Sequence, residues 1–161
     1  MIYTVPFHAV ALSGTLNTFK TVAEIIVPAT ARCAIVRVAM GPADATPDDQ
    51  DVVLKIARNS GTLGTGGTAI AAAAIPKSEP AGRDALCSAR VAPTGEPATY
   101  EANGDFMLSF NDRGGIDHPF MTEDQEPKVV GGATVSFGLL ACSMKTGTAR
   151  VVSGYVAFRE Y

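Results

Sequence analysis

The sequence contains no tryptophan, only two histidines, and few charged residues, which make up 18% of its 161 positions. The lack of tryptophan and an aromatic content of 7% weigh against a carbohydrate-binding module, because such modules commonly stack sugars on aromatic rings. Lysine and arginine are scattered singly and the net charge is −3, so we expect no nucleic-acid-binding surface. A slightly acidic surface of this kind keeps a protein soluble and indicates little else about its partners.

Long apolar runs are also missing. The longest, residues 69–75, is far shorter than the ~20 residues that span a membrane. The first residues lack the basic start and apolar run of a signal peptide, so we expect a soluble chain made in the cytoplasm. The odd number of cysteines, Cys33, Cys87 and Cys142, argues against a disulfide framework and predicts buried thiols in a reducing compartment.

Short β-like runs separated by turn residues dominate what is present. Sixteen glycines and ten prolines interrupt almost every candidate helix. Residues 32–40 give the clearest strand, with Val36, Val38 and Met40 predicted on one face and Cys33 and Ile35 on the other. Alternation of this kind recurs along the chain, and no βαβ pattern accompanies it.

We expect about eight strands, at the spacing typical of sandwiches and barrels. They are predicted within residues 3–12, 19–27, 32–40, 52–58, 68–75, 86–91, 106–110, 134–142 and 149–158, where residues 68–75 are open to a short helix. Residues 116–127 are predicted to be irregular. Pro6 indicates a sheet edge or a strand end for the first run, and the last run is expected inside a sheet. The prediction is one all-β domain over residues 1–161, an antiparallel β-sandwich of jelly-roll or Greek-key type.

No motif predicts a catalytic, cofactor-binding or metal-ligating residue. His8 and His118 are 110 positions apart and form no H-x-H pair, so a cupin-like metal site is not expected. A nucleophilic pair of Cys142 with His118 has no supporting signature, because Cys142 lies in a strand pattern. A small hydrolytic enzyme is disfavoured for the same reasons.

Two loops invite a ligand hypothesis. Residues 44–51 are rich in aspartate, but they lack the residue order of an EF-hand, so at most a weak structural Ca²⁺ is expected there. Residues 61–67 are rich in glycine, but neither a Lys-Ser/Thr pair nor a helix pattern follows, so a flexible turn is predicted rather than a phosphate loop.

Three passages carry a resemblance to a known group. They are residues 3–10 (YTVPFHAV), residues 53–58 (VLKIAR) with the loop of residues 60–68 that follows, and residues 153–160 (SGYVAFRE). With these passages the chain resembles small virion proteins of tailed bacteriophages, the capsid decoration or cement type with a jelly-roll-like β-sandwich. Residues 96–126 have no counterpart in that likeness.

The resemblance implies a non-enzymatic protein that binds the major capsid protein on the outside of the assembled shell. It also implies a homo-oligomer, with a trimer favoured, and location on the virion surface without nucleic acid or membrane as partner. The N-terminal strand, residues 2–10, is a candidate arm that pairs with a neighbour. A tail or head-fibre component and a glycan- or receptor-binding module are the alternatives.

Overall fold

The computed structural model describes residues 1–44, 49–98, 100–101, 104–145 and 149–161, and these form two antiparallel β-sheets. The strands are β1 (Ile2–Ala11), β2 (Lys20–Ile26), β3 (Arg32–Pro42), β4 (Asp51–Asn59), β5 (Thr68–Ile70), β6 (Ser88–Val91), β7 (Phe106–Asn111), β8 (Ile116–Pro119), β9 (Lys128–Val130), β10 (Ser136–Ser143) and β11 (Val151–Glu160). A single 3₁₀ turn, Ala72–Ala74, is the only helix in the described ranges. Within those ranges no helix has the length and hydropathy needed to cross a membrane.

The two sheets differ in size. In sheet A the order is β1-β11-β3-β8, and β9 pairs with β3 next to β8. In sheet B the order is β5-β6-β2-β10-β4-β7. Every pairing is antiparallel, so the predicted all-β antiparallel sandwich is confirmed, while its assignment as a jelly roll stays a prediction.

One apolar core lies between the sheets. Tyr3, Val5 and Phe7 of β1 are buried there with Phe158 of β11, and the rings of Tyr3 and Phe158 stack at 5.4 Å. Sheet B contributes buried apolar side chains from β2, β4 and β10, including Phe137. Burial of aromatic and branched side chains of this kind is the main term that stabilises a sandwich.

The edge and interior strands lie where the sequence placed them. β1, which contains Pro6, is at the edge of sheet A, and β11 lies between β1 and β3. Pro6 fits an edge because it has no N–H to give to a second neighbour. A turn at residues 111–115 connects β7 to β8, with Gly115 at φ 65°.

Two predictions about strands are wrong, and a third, the strand over residues 68–75, holds only for residues 68–70. Eleven described strands replace the expected eight or so, because β8 and β9 are only four and three residues long and carry no alternating pattern. Residues 116–127, predicted to be irregular, begin with β8. The predicted strand over residues 68–75 is β5 followed by the 3₁₀ turn, since a run of alanines packs poorly on a sheet.

A β-bulge explains the error in β3. Arg37 pairs with Ala157 and Ile35 with Phe158, so Val36 is an extra residue on β3. The extra residue shifts the alternation, which puts Cys33 and Ile35 on the core face together with Val38. The predicted grouping of Val36 with Val38 is therefore wrong.

Candidate functional site

The two histidines lie apart and have protein partners. His8 is exposed on β1, where its Nδ1 is 3.1 Å from Oγ of Ser153. His118 on β8 packs against Phe106 and Phe120, with ring centroids 4.7 and 5.0 Å away. Among the residues that the structure describes, no three His, Cys, Asp or Glu side chains are grouped to hold a metal ion.

The thiols are buried and free. Burial raises the pKa of Cys142, which lies on β10 in sheet B, whereas His118 belongs to sheet A. A hydrogen bond to Cys33 and burial raise the pKa of Cys87. Raised pKa values keep both groups protonated at neutral pH, and a protonated thiol is a weak nucleophile.

The aspartate-rich loop is described only in part. Oδ2 of Asp44 accepts a hydrogen bond from the backbone N–H of Val151 (3.1 Å) and lies 3.7 Å from Arg150. Oδ1 of Asp49 accepts from Nδ2 of Asn111 at 2.8 Å. Residues 45–48, including Asp48, lie outside the described residues, so the expected Ca²⁺ ligand set is described only at its ends.

The glycine-rich loop is tied down rather than free. Thr65 and Gly95 form an isolated antiparallel β-bridge. The backbone N–H of Gly64 donates to Oε2 of Glu24 at 3.0 Å. Strand β5, not a helix, begins at Thr68. The loop therefore lacks the helix N-terminus that phosphate loops use, and it covers the outer face of sheet B.

Below that loop lies a buried polar network that the sequence did not reveal. Glu24 on β2 is fully buried and accepts a hydrogen bond from Oγ of Ser136 at 2.7 Å. Nδ2 of Asn59 donates to the same Ser136 oxygen at 3.2 Å. Its neighbours Ala23 and Ile25 belong to the core, whereas Glu24 is covered by the glycine-rich loop, and no signal in the sequence indicated that cover.

A second carboxylate binds the neighbouring loop to sheet B. Oε2 of Glu96 accepts from the backbone N–H of Thr21 at 3.0 Å and from its hydroxyl. Tyr100 packs over Gly138 of β10, and its burial raises the pKa of its hydroxyl. Both carboxylates are thus engaged in holding loops to the sheet, a structural role.

The outer face of sheet A is different, because it is open. A concavity of about 650 Å³ lies over β1, β3 and β11, and we call it the sheet A groove. Its lining combines apolar, aromatic and charged side chains: Met1, Ile2, Thr4, Val36, Arg37, Pro119, Phe120, Glu126, Tyr155, Ala157 and Arg159. Three residues of β11 line this face: Tyr155, Ala157 and Arg159.

Ion pairs fix the charged rim of the groove. Nε of Arg37 donates to Oδ1 of Asp117 at 2.7 Å, and the Arg37 hydrogen bond lowers the pKa of Asp117. Arg159 contacts Glu126 at 2.7 Å and Glu123 at 2.9 Å. Because carboxylates pair with both arginines, the groove has no strong electrostatic field of either sign. Its surface combines apolar and polar side chains.

Exposed apolar side chains surround this face. Met1 and Ile2 lie at one end of the groove, and Met121 is 79% exposed in the segment that follows β8. Val130 and Tyr161 line a second pocket of about 310 Å³ beside it. Contiguous exposed apolar groups are typical of protein-interaction surfaces.

Comparison of the chain with protein-family models, with curated proteins and with solved structures gives no match.

Proposed function

We propose that this chain is a non-enzymatic structural protein of a tailed-phage virion that binds the outside of the assembled capsid and stabilises contacts between capsomers. The proposed class, a virion structural protein, rests on the resemblance of the three sequence passages to capsid decoration proteins. Its partner is the major capsid protein, its location the capsid surface, and its form a homo-oligomer made in the host cytoplasm.

The observation that carries the proposal is the sheet A groove. It has a volume of about 650 Å³, it spans the paired strands β1, β11 and β3, and it combines Ile2 and Tyr155 with arginines that are paired to carboxylates. A wide open face of mixed polarity fits a protein surface better than a small ligand, because small-molecule sites enclose most of the ligand.

The physics of a filled head gives such binding a purpose. Packed DNA pushes the shell outward, and a protein that binds only the assembled lattice stabilises that lattice by linkage. Many copies on a symmetric shell add their contributions, so modest affinity per site is sufficient.

The test is co-sedimentation of the purified chain with capsids of its own phage that lack it. The wild-type chain should saturate the shell at a fixed ratio to the capsid protein. Ile2→Glu places a charge in the groove and should weaken binding about tenfold or more. Leu16→Glu is the matched control, since Leu16 is 42% exposed and Ile2 is 43% exposed but only Ile2 lines the groove.

Three results would contradict either the proposed function or the assignment of the groove as the capsid contact. Wild-type chain that stays in the supernatant would overturn capsid binding. Sedimentation with isolated tails or fibres, or specific retention by immobilised glycans, would favour the alternatives instead. Equal binding by the Ile2→Glu and Leu16→Glu variants, both folded by circular dichroism, would remove the groove from the contact.

A further inference from the structure

The edges of the two sheets are protected unequally. At the β1 edge, the backbone N–H of Thr4 donates to the carbonyl of Pro76, and the N–H of Ser78 donates to the carbonyl of Ile2, both at 2.9 Å. Pro6 then removes a donor, and the pairing register shifts between Phe7 and Val10. Covering segments, prolines and bulges are the devices by which proteins block unwanted strand pairing.

Other edges are short. β5 and β9 have three residues each, and β8 has four and ends at Pro119. β7 (Phe106–Asn111) is the exception, with six residues that include neither proline nor charge. It is the last strand of sheet B, and among the described residues no strand pairs with its second edge.

The direction of the backbone groups on β7 follows from its ladder. The N–H of Asp112 donates to the carbonyl of Gln50 at 2.8 Å, and Leu108 is opposite Leu54 in the register with β4. Since bonded positions alternate, Phe106, Leu108 and Phe110 point their backbone groups at β4. Met107 and Ser109 therefore point their N–H and C=O groups away from the sheet, and no described turn or loop bonds them.

We propose that β7 is an interface in which this edge pairs with the same edge of a second copy of the chain. The two strands would run antiparallel about a two-fold axis at Leu108. Met107 of each copy then lies opposite Ser109 of the other, and each such pair exchanges two backbone hydrogen bonds. The proposal gives the chain a two-fold contact in place of the trimer that the resemblance favours, and it does not rest on capsid binding. The edge lies next to the sheet A groove, because Phe106 packs against Phe120 of the groove lining at 5.1 Å.

A second copy fits this edge for three reasons. The strand has no charged residue, so identical strands meet without repulsion. Pairing covers Met107, which is 51% exposed, and the partly buried Phe106 and Leu108. A two-fold contact uses the same edge on both copies, so the β7 interface closes at two chains.

Molar mass in solution tests the proposal. Light scattering after size exclusion, over a dilution series, should give twice the chain mass of 16.7 kDa. Ser109→Pro removes an outward N–H without touching the β4 ladder, so it should raise the dissociation constant about tenfold or more while the fold is kept. Met121→Lys is the control, because it changes an exposed methionine outside β7 and should leave the dimer intact.

A pair of double variants tests the register and does not depend on proline. Met107→Lys with Ser109→Lys opposes like charges across the interface and should raise the dissociation constant about tenfold. Met107→Lys with Ser109→Glu opposes unlike charges in the same positions and should keep the dimer. Circular dichroism of each variant reports whether the sandwich is folded.

A wild-type chain that is monomeric at every concentration would overturn the pairing, and so would the mass of three chains. A folded Ser109→Pro variant that dimerises like wild type would also overturn it. If the two double variants had equal dissociation constants, the proposed antiparallel register, with Met107 opposite Ser109, would be wrong. Capsid co-sedimentation is a separate readout, so failure here is distinguishable from failure of the proposed function.

Discussion

Glu24 shows how a single buried carboxylate holds the outer layer of sheet B. It accepts hydrogen bonds from the backbone of Gly64 and from Ser136, and it is fully buried. Glu24→Ala leaves both donors without this acceptor. We therefore expect the free energy of unfolding to fall by about 1–3 kcal/mol. Urea denaturation measures the change.

Glu79→Ala is the control for that measurement, since Glu79 is exposed. Substitutions at such surface positions usually change stability by less than about 0.5 kcal/mol. A Glu24→Ala variant as stable as the Glu79→Ala variant would mean that the network does not stabilise the fold.

The buried thiols predict a pH dependence. A hydrogen bond to Cys33 raises the pKa of Cys87, and burial raises the pKa of Cys142, both from an ordinary value of 9.0. Above that value the unfolded chain loses thiol protons that the folded chain retains, so the free energy of unfolding falls as pH rises. Below it, this contribution is fully present.

Urea denaturation between about pH 7 and pH 9.5 brackets the ordinary thiol pKa. We expect stability to decline over the alkaline half of the series. The double variant Cys87→Ala with Cys142→Ala should show a shallower decline, whatever its stability at pH 7. An unchanged slope in that variant would contradict the assignment to these thiols.

At the scale of elements, β1 is part of the fold rather than a free arm. It pairs with β11 along most of its length, and Tyr3, Val5 and Phe7 are buried in the core. The hypothesis that residues 2–10 pair with a neighbouring chain stays a prediction, and within one chain this strand pairs with β11.

Deletion of residues 2–10 should abolish cooperative unfolding, because it removes buried aromatic and aliphatic side chains that each contribute several kcal/mol. Loss of the thermal transition by circular dichroism would show this. A shortened chain that still melts cooperatively would show that β11 and β3 support the sandwich without β1. The Ile2→Glu variant is the better test of binding, since Ile2 is half exposed.

At the scale of the whole molecule, the proposed function predicts stabilisation of capsids. Saturating wild-type chain should raise the temperature at which filled capsids release DNA, detected with a fluorescent dye. At free concentrations of 100 times the dissociation constant, linkage supplies about 2.7 kcal/mol per site. The Ile2→Glu variant at the same concentration should give a smaller shift, and equal shifts would contradict the role of the groove.

The fold class was predictable because alternation and turn residues are local signals. Pro6 indicated a sheet edge or a strand end for the first run, and β1 does lie at the edge of sheet A. β8 and β9 were not predictable, since strands of three or four residues form only where β3 offers a partner. The bulge at Val36 likewise depends on the pairing with β11.

By itself the sequence determined an antiparallel two-sheet architecture, buried cysteines and an N-terminal edge strand, because each depends on short-range pattern and composition. Only the tertiary structure decided that Glu24 is buried, that the sheet A groove is open and that no described strand pairs with the second edge of β7. These properties depend on which loops cover which face and which strands end a sheet. Contacts between residues far apart in the chain set both, and no local pattern records them.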